Sequence, residues 1–331
     1  MLTCPDGDNS PIKLATYKGG SRDGQLVVVS RDLGSAHYAT GIATRLQQVL
    51  DDWGFLSPQL QDLSVQLNAG RLRHSFAFDP QQCMAPLPRA AQWLGAVTPA
   101  LQQSLSATPL MYQGASDDLL GACDDVTVAS EAQGIDFSAE IAAITSDVRR
   151  GCTPEQALAS VRLVLLANAV HLRQLLPAEL ERGFGPLHAR PATAFSPVAV
   201  TLDELGRAWQ GGRVHLALQS SCNGRKVGLS DAGADMAWDF GQMVAHAART
   251  RNLRAGSIVA SGTLRSASVP NSSIRRSMWT AISKSCCAKA LCKRPRCWRP
   301  IAPFSDPPRA TDDQESFIRR HFAERHPSKL E

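Results

Sequence analysis

Acidic and hydroxyl side chains alternate with apolar ones in the segment that ends at Glu140, which reads Gly-Ile-Asp-Phe-Ser-Ala-Glu from Gly134. Successive side chains of a β-strand point to opposite faces, so Asp136, Ser138 and Glu140 share one face. The intervening apolar residues then point into the core. The pattern predicts a strand that presents two carboxylates and a hydroxyl, all of them oxygen donors, to a single site.

Two strands and two helices are predicted before this segment. Residues 12–17 and 26–30 have strand character and are joined by a glycine-rich turn, which is typical of a hairpin. Apolar residues from 42–53 follow helical spacing, and a second helix is predicted to begin at Ser57. Together they form a small N-terminal module, and an extended connector follows over residues 76–88.

Short strands and turns are predicted from about Met111 onward. A capping box at Thr153 predicts a helix that continues, largely apolar, to Asn168. A second box at Thr201 predicts a short helix. Asn223 and the glycine after it predict the type I′ turn of a hairpin.

The last predicted elements are an amphipathic helix over residues 238–249 and, from residues 253–259, a turn into a buried strand that ends at residues 261–263. His171 and His246 both lie on predicted helices. At such positions a solvent-facing or hydrogen-bonded histidine is more common than a catalytic one.

The composition is that of a globular protein with a sizeable core. The 331 residues are 44% hydrophobic and 20% charged, enough for one large domain or a large and a small one. No run reaches the roughly 18–20 apolar residues that a membrane span needs, and the first residues lack the features of a signal peptide. We therefore expect a cytoplasmic protein without a membrane partner. Nine cysteines, an odd number without motif spacing, favour reduced thiols.

The net charge of +5 belongs to the last part of the chain. Residues 264–331, called the tail below, contain 14 Lys and Arg against 6 Asp and Glu, whereas residues 1–263 contain 21 against 24. The basic signal therefore gives no reason to expect an acidic partner for the fold itself.

Six segments, in this order, resemble the fumarylacetoacetate hydrolase family over roughly residues 12–92 and 109–263. They are PLMYQGASDD, GIDFSAEIAAI, the helix leading into Leu-Ala-Asn at 166–168, GFGPLHARPATAFSPVAV, the Asn-Gly hairpin and LRAGSIVASGT. The resemblance implies an α+β fold, a mixed β-roll of the fumarylacetoacetase type with a small α/β N-terminal domain. It also implies a homodimer.

The predicted domain organisation follows from the same resemblance. We expect a disordered leader over residues 1–11, an accessory domain over 12–88 and a truncated fumarylacetoacetase-like catalytic domain over 109–263. The tail, which does not match the family's motifs, is expected to be disordered.

The resemblance implies metal-dependent hydrolysis of a carbon–carbon bond in a β-diketo acid. Mg²⁺ or Ca²⁺ would hold the dicarbonyl oxygens and stabilise the enolate, while a general base activates water. Glu140 matches one metal ligand. Ser138 and Ala169 occupy two further ligand positions but lack the carboxylate, so metal binding by this chain is in doubt.

Other functional positions are matched in part. Arg190 and Thr263 occupy catalytic positions and Tyr112 a substrate-contacting one, although the family has lysine where this chain has Arg190. The family's catalytic histidine belongs in an interval that here spans residues 94–108 and contains no histidine. No acidic motif of the family follows Thr263.

Two functions are therefore considered. The first is a metal-dependent hydrolase of the fumarylacetoacetate type. The second, which we favour, is a catalytically inactive family member that acts at most as a binding protein, or a pseudogene product. Residues 93–108 and the tail have the composition of out-of-frame translation, and the coding sequence would test that origin.

The tail has two further interpretations, both less favoured. Four cysteines could form a zinc site with two histidines, although paired knuckles are lacking. These are Cys286, Cys287, Cys292, Cys297, His321 and His326. Alternatively, basic residues with Trp279 and Trp298 could contact nucleic acid, but they form no recognisable module, so we do not expect a nucleic-acid partner. An inert solvated tail is the simplest alternative.

Overall fold

A computed structural model describes residues 11–97, 108–117, 119–183, 185–222, 225–264 and 278–282. The N-terminal part contains a meander of strands and two helices. In chain order they are β1 (Lys13–Tyr17), β2 (Gln25–Val29), β3 (Ser35–Tyr38), α1 (Leu46–Asp51), α2 (Trp53–Asn68), β4 (Phe76–Ala77), a 3₁₀ turn (Pro80–Gln82), β5 (Gln92–Ala96) and β6 (Met111–Gly114).

The two longest strands dominate the middle of the chain. After a 3₁₀ turn (Glu131–Gln133) come β7 (Ile135–Thr145), α3 (Pro154–Leu158), β8 (Val161–Leu172), α4 (Leu176–Glu181), β9 (Thr193–Phe195) and β10 (Ala199–Thr201). A 3₁₀ helix (Leu202–Ala208) then leads to β11 (Trp209–Gln210), β12 (Arg213–Val214), β13 (Ala217–Cys222), β14 (Arg225–Asp231), α5 (Ala232–Asp235), α6 (Phe240–Ala247), β15 (Ser257–Ala260) and β16 (Met278–Ile282).

One large mixed sheet organises these elements. Its strand order is β4-β3-β2-β1-β10-β8-β7-β15-β5-β6, with β9 paired to β8. Within this sheet β15 and β5 pair in parallel, and the other named strand pairs are antiparallel. Two small sheets, β11-β12 and β14-β13-β16, lie outside it. This arrangement, with few helices, confirms the α+β fold class.

The β7–β8 pair forms the centre of the core because both of its faces are covered. One face, with Ala142, Ile144 and Leu163, packs in a cluster with residues of β1, β2, α1 and α2. The opposite face, with Ile141 and Val164, packs against α6 and its neighbours. Strand alternation thus assigns even-numbered residues of β7 to the side of the N-terminal module.

A buried ion pair ties the N-terminal hairpin to the rest of the sheet. Lys13 on β1, only 3% exposed, bonds to Glu204 in the 3₁₀ helix after β10. The β1 strand also pairs with β10 directly. The hairpin is therefore part of the main sheet, although it lies far from β10 in sequence.

The predicted helix to Asn168 is wrong beyond Leu158. The capping box is present, since the Thr153 hydroxyl accepts from Gln156 N, but α3 ends after five residues and β8 follows. The run from Val161 is apolar on both faces because it is covered on both sides, and such a run has no period that separates a strand from a buried helix. His171 therefore lies on a strand and not on a helix, whereas His246 lies on α6 as predicted.

The second helix begins earlier than predicted. It starts at Trp53 and runs through Pro58, because Trp53 and Leu56 continue the apolar stripe that packs on the core. The β1–β2 hairpin is confirmed, as are α6 and the buried strand β15. The pairing of β13 with β14 is also confirmed, but the turn predicted at residues 223–224 lies outside the described residues. Thr201 precedes a 3₁₀ helix, without the side-chain cap that its sequence suggested.

Little of the tail is described. Leu264 continues the segment after β15, and β16 pairs with β13. The tail cysteines, its two histidines and Trp298 lie outside the described residues, so the zinc and nucleic-acid interpretations stay predictions. In the described parts of the chain, none of the helices has the length and apolar character needed to cross a membrane.

Candidate functional site

The polar residues of β7 meet β8 on one face of the sheet. In the antiparallel register, Ser138 pairs with Ala169, Asp136 with His171, and Glu140 with Ala167. Paired residues of antiparallel strands point to the same side. The shared face predicted for Asp136, Ser138 and Glu140 is therefore present, and Ala169 stands directly opposite Ser138.

Glu140 is the central acidic group of this face. It is 1% exposed, and its Oε1 accepts a hydrogen bond of 2.6 Å from the Ser138 hydroxyl. Burial raises the pKa of Glu140 to about 7, although the Ser138 bond and the charge of Arg190 act in the opposite direction. Its second oxygen, Oε2, is buried and has no hydrogen-bond partner among the described residues.

His171 is a site residue that the sequence prediction missed. Its Nε2 lies 2.9 Å from the Ser138 hydroxyl oxygen and 3.5 Å from Nη1 of Arg190. Burial, assisted by the charges of Arg190 and Arg173, lowers the pKa of His171 well below its usual value. The imidazole is therefore neutral near pH 7. A strand assignment for β8 would have found it, because residues two apart on a strand share a face and Ala169 was already assigned to the site.

Arg190 and Tyr112 form a stacked pair. The guanidinium carbon of Arg190 lies 3.5 Å from the centre of the Tyr112 ring, in cation–π geometry. Tyr112 pairs with Gly95 across β5 and β6, and a Cβ at Gly95 would lie 2.3 Å from the ring. Glycine therefore leaves the space that the Tyr112 ring fills.

The polar ends of this pair are buried without partners. The Tyr112 hydroxyl and Arg190 Nε have no hydrogen-bond partner among the described residues. Burial and the charge of Glu140 raise the pKa of the Tyr112 hydroxyl, which Arg190 opposes. The same Arg190 charge acts on Glu140. The structure thus brings Tyr112, Arg190, Glu140 and His171 together.

Asp136 shares the face but is engaged elsewhere. Its Oδ2 accepts a hydrogen bond of 2.7 Å from Arg173 Nε, and the two side chains form an ion pair. Thr263 lies in the segment after β15. On either side of Thr263, the backbone N–H groups of Ser261 and Leu264 donate hydrogen bonds to carbonyl oxygens of β7. Its side chain is half-buried, and no hydrogen bond joins it to another described residue. Thr263 is therefore adjacent to the central strand but not linked to Glu140.

The donor set does not fit a hard divalent cation. Ca²⁺ takes 6–8 oxygen ligands and Mg²⁺ an octahedral set, usually including ionised carboxylates. Here Glu140 Oε2 is a single free carboxylate oxygen, next to a guanidinium, with alanine and serine at the neighbouring positions. Within the described ranges, no group of three or more His, Cys, Asp or Glu residues is placed to hold a metal ion.

Two family models match the sequence. The model described as fumarylacetoacetase N-terminal domain 2 matches residues 12–89. The model described as fumarylacetoacetate (FAA) hydrolase C-terminal matches residues 87–289 and so runs past Thr263, where the motif likeness ended. No curated protein matches the chain.

Solved structures share the fold at low sequence identity. A putative HpcE protein from Mycobacterium smegmatis is 17% identical with a TM-score of 0.58, over 82% of this chain and 95% of that one. Maleylpyruvate hydrolase from Sphingobium sp. SYK-6, in complex with manganese(II) and pyruvate, is 17% identical with a TM-score of 0.58, over 76% and 89%. Fumarylacetoacetate hydrolase from Exiguobacterium antarcticum is 20% identical with a TM-score of 0.56, over 76% and 86%. At such identities the likeness establishes the fold alone.

Proposed function

The chain belongs to the fumarylacetoacetate hydrolase family, and from this premise we propose that it is a member without metal-dependent hydrolase activity that binds a small oxo acid in the inherited site. The proposal separates the fold, which the family match establishes, from the chemistry, which depends on particular side chains. The ligand would be of the β-diketo acid class or a fragment of it.

One observation carries the proposal. The Ser138 hydroxyl bonds to Glu140 with Ala169 opposite, so two neutral side chains stand where the family resemblance implies carboxylate ligands. The remaining carboxyl group, with a pKa raised to about 7, is protonated in a large fraction of molecules at neutral pH. A cation would also have to approach Arg190. Each of these features disfavours a divalent ion.

The same change removes the cation that would stabilise the transition state of carbon–carbon cleavage. Hydrolysis of a β-diketo acid releases a carbanion, which the family resemblance implies is stabilised by the cation as an enolate. Arg190 alone offers one positive charge, already shared with the Tyr112 ring and His171. Interactions that act as a unit are not additive, so the surviving residues need not keep a proportionate share of activity.

Calorimetry tests the metal half of the proposal. We expect no tight binding when Mg²⁺ or Mn²⁺ is titrated into the purified full chain. Mn²⁺ is included because it is the ion found in the Sphingobium neighbour. A turnover assay with an acylpyruvate, followed by loss of the diketone absorbance, should match the buffer blank. Tight binding of either ion together with turnover would disprove the proposal.

Restoring the two carboxylates tests the cause. The double variant Ser138→Glu, Ala169→Asp should gain measurable Mn²⁺ affinity because it returns two anionic ligands next to Glu140. The matched control is Ser138→Gln, Ala169→Asn, which adds side chains of the same size without charge. If both double variants bind Mn²⁺ equally, ligand charge is not the cause.

Assembly and location remain proposals. We expect a homodimer, a cytoplasmic location, and no membrane or nucleic-acid partner. Light scattering during gel filtration measures the oligomeric state directly. A monomer at micromolar concentration would contradict the expected dimer.

A further inference from the structure

Two cysteine-bearing segments pack against each other where the two parts of the chain matched by the family models meet. Cys83 follows the 3₁₀ turn at Pro80–Gln82, within the N-terminal match, and Cys123 lies between β6 and β7, within the C-terminal match. Cys83 is 0% exposed and Cys123 is half-buried, and both thiols are reduced. A covalent link between them would tie the N-terminal module to the rest of the fold.

Cys83 is held beside the end of β1. Its backbone forms an isolated bridge with Tyr17, and next to it Lys18 N donates a hydrogen bond of 2.8 Å to Gln82 O. The thiol of Cys83 donates a long hydrogen bond of 3.7 Å to Asp79 O. A thiol is a weak donor, so this bond is a small barrier to rotation of the side chain. The backbone at Cys83 is thus fixed, while its sulfur atom can turn.

The turn that carries Cys123 lies directly on the backbone of Cys83. A Cβ at Gly121 would lie 2.5 Å from the carbonyl oxygen of Cys83, so only glycine allows this approach. The turn is closed because Gly121 N donates a bond of 2.8 Å to Asp124 Oδ2, and it is anchored because Asp124 Oδ1 lies 2.7 Å from Lys18 Nζ. Cys123 lies inside this turn and is therefore held next to the segment of Cys83.

The same turn is fixed on its other side by β9. Leu120 N donates a hydrogen bond of 3.0 Å to Thr193 O, and Phe195 N donates one of 2.9 Å to Leu120 O. Because β9 pairs with β8, the turn is tied to the main sheet through Leu120 and to the end of β1 through Lys18. Its position beside Cys83 is therefore set by two separate parts of the fold.

The two thiols differ in their access to solvent, and this difference assigns their roles. A thiolate is the nucleophile in thiol–disulfide exchange. Burial raises the pKa of the Cys83 thiol, and an ionised Cys123 would raise it further. Cys123, which is half-buried, is the thiol that a dissolved disulfide meets first. Cys83 is then the thiol that resolves the intermediate.

We propose that Cys83 and Cys123 are a redox pair, which forms a reversible disulfide by exchange with a small disulfide such as oxidised glutathione. The Cys123 thiolate attacks one glutathione sulfur, the S–S bond breaks, and one glutathione thiolate leaves. Cys83 then loses its proton to solvent and attacks the Cys123 sulfur, which displaces the second glutathione thiolate. The two protein thiols lose two electrons, and one glutathione disulfide becomes two thiols. The pair does not depend on what the inherited site binds.

Thermal unfolding measures the effect of the bridge. A bridge from Cys83 to Cys123 closes a loop of about 40 residues, which restricts the unfolded chain and should raise the Tm by about 5–10 °C. The full chain is compared after incubation with oxidised glutathione and with dithiothreitol. Cys123→Ser, at a half-buried position, should abolish the difference. Cys152→Ser, at another half-buried cysteine, is the matched control and should preserve it. Equal differences in the two variants would overturn the proposal.

Peptide mapping identifies the bonded cysteines. Trypsin cleaves after Arg89, so Cys83 and Cys123 fall into separate peptides, residues 74–89 and 90–149, unless a disulfide joins them. After alkylation of the remaining thiols, mass spectrometry should find these two peptides joined in the oxidised protein and separate after dithiothreitol. Glutathione attached to Cys123 without the joined peptides would overturn the proposal, as would a bond from Cys123 to a cysteine of the tail. Joined peptides that form only in urea would also overturn it, because the folded chain would then not bring the two thiols together.

Discussion

Replacing Glu140 by glutamine should stabilise the protein in a pH-dependent manner. Burial raises the pKa of Glu140 from 4.5 to about 7 in the folded state. The unfolded chain releases this proton near its ordinary value, so between about pH 4.5 and 7 the folded state binds more protons than the unfolded state. The stability that the protonated carboxyl group contributes is therefore complete below pH 4.5 and is lost as the pH rises through 7.

The magnitude follows from the size of the shift. One pKa unit corresponds to about 1.4 kcal/mol, so ionisation of buried Glu140 costs on the order of 3 kcal/mol by pH 8. Glu140→Gln keeps the shape and the acceptor for the Ser138 hydroxyl but has no charge to bury. The difference in unfolding free energy, variant minus wild type, should therefore increase by about 3 kcal/mol from pH 4.5 to pH 8.

Urea unfolding at intervals of one pH unit measures this difference. Other titrating groups are shared by the two proteins and cancel, as does any constant effect of the amide. Glu181→Gln, at an exposed position on α4, is the matched control for the glutamate-to-glutamine exchange itself. A Glu140→Gln difference that stays constant within about 0.5 kcal/mol would mean that Glu140 ionises without penalty, and the description of a charge-poor site would be wrong.

Two further stability predictions use other parts of the fold. Lys13→Met leaves the Glu204 carboxylate buried without its partner and should lower the unfolding free energy by about 3–5 kcal/mol. Lys18 is 45% exposed in its ion pair, so Lys18→Met should change the unfolding free energy by less than about 1 kcal/mol in the same urea assay. Gly95→Ala places a Cβ against the Tyr112 ring and should lower the unfolding free energy by about 1–3 kcal/mol. Gly54→Ala, in open space on α2, should be neutral or stabilising. Equal effects within either pair would contradict the buried ion pair at Lys13 or the close contact between Gly95 and Tyr112.

Sequence patterns predicted the fold where the signal was local. The hairpin of β1 and β2, the capping box at Thr153 and the polar alternation in β7 depend on neighbouring residues, and all three are present. The pattern failed at β8, whose apolar run is buried on both faces and so lacks a period. Distinguishing its strand from a helix required knowing that β7 lies beside it.

The site was predicted only as far as the family motifs reached. Tyr112, Ser138, Glu140, Ala169 and Arg190 were each assigned from a matched position, before any distance between them was known. What these assignments could not supply was the stacking of Arg190 on Tyr112, which depends on how the segment after α4 packs against β6. The unpartnered atoms of the pair follow from that packing and have no sequence signal.

The neutral residues of the site are mutually consistent in physical terms. A buried face with three ionised carboxylates and no cation would be strongly unfavourable, because like charges in a poorly solvated site cannot all remain ionised. Serine and alanine at 138 and 169 remove two such charges, and the Ser138 hydroxyl then bonds to both Glu140 and His171. When Glu140 is protonated, its carboxyl group can donate a hydrogen bond to the Ser138 hydroxyl, and that hydroxyl can donate to the neutral ring of His171. The His171 ring also faces Arg190. None of these hydrogen bonds requires a cation, and reintroducing carboxylates at positions 138 and 169 should destabilise the protein unless Mn²⁺ is supplied.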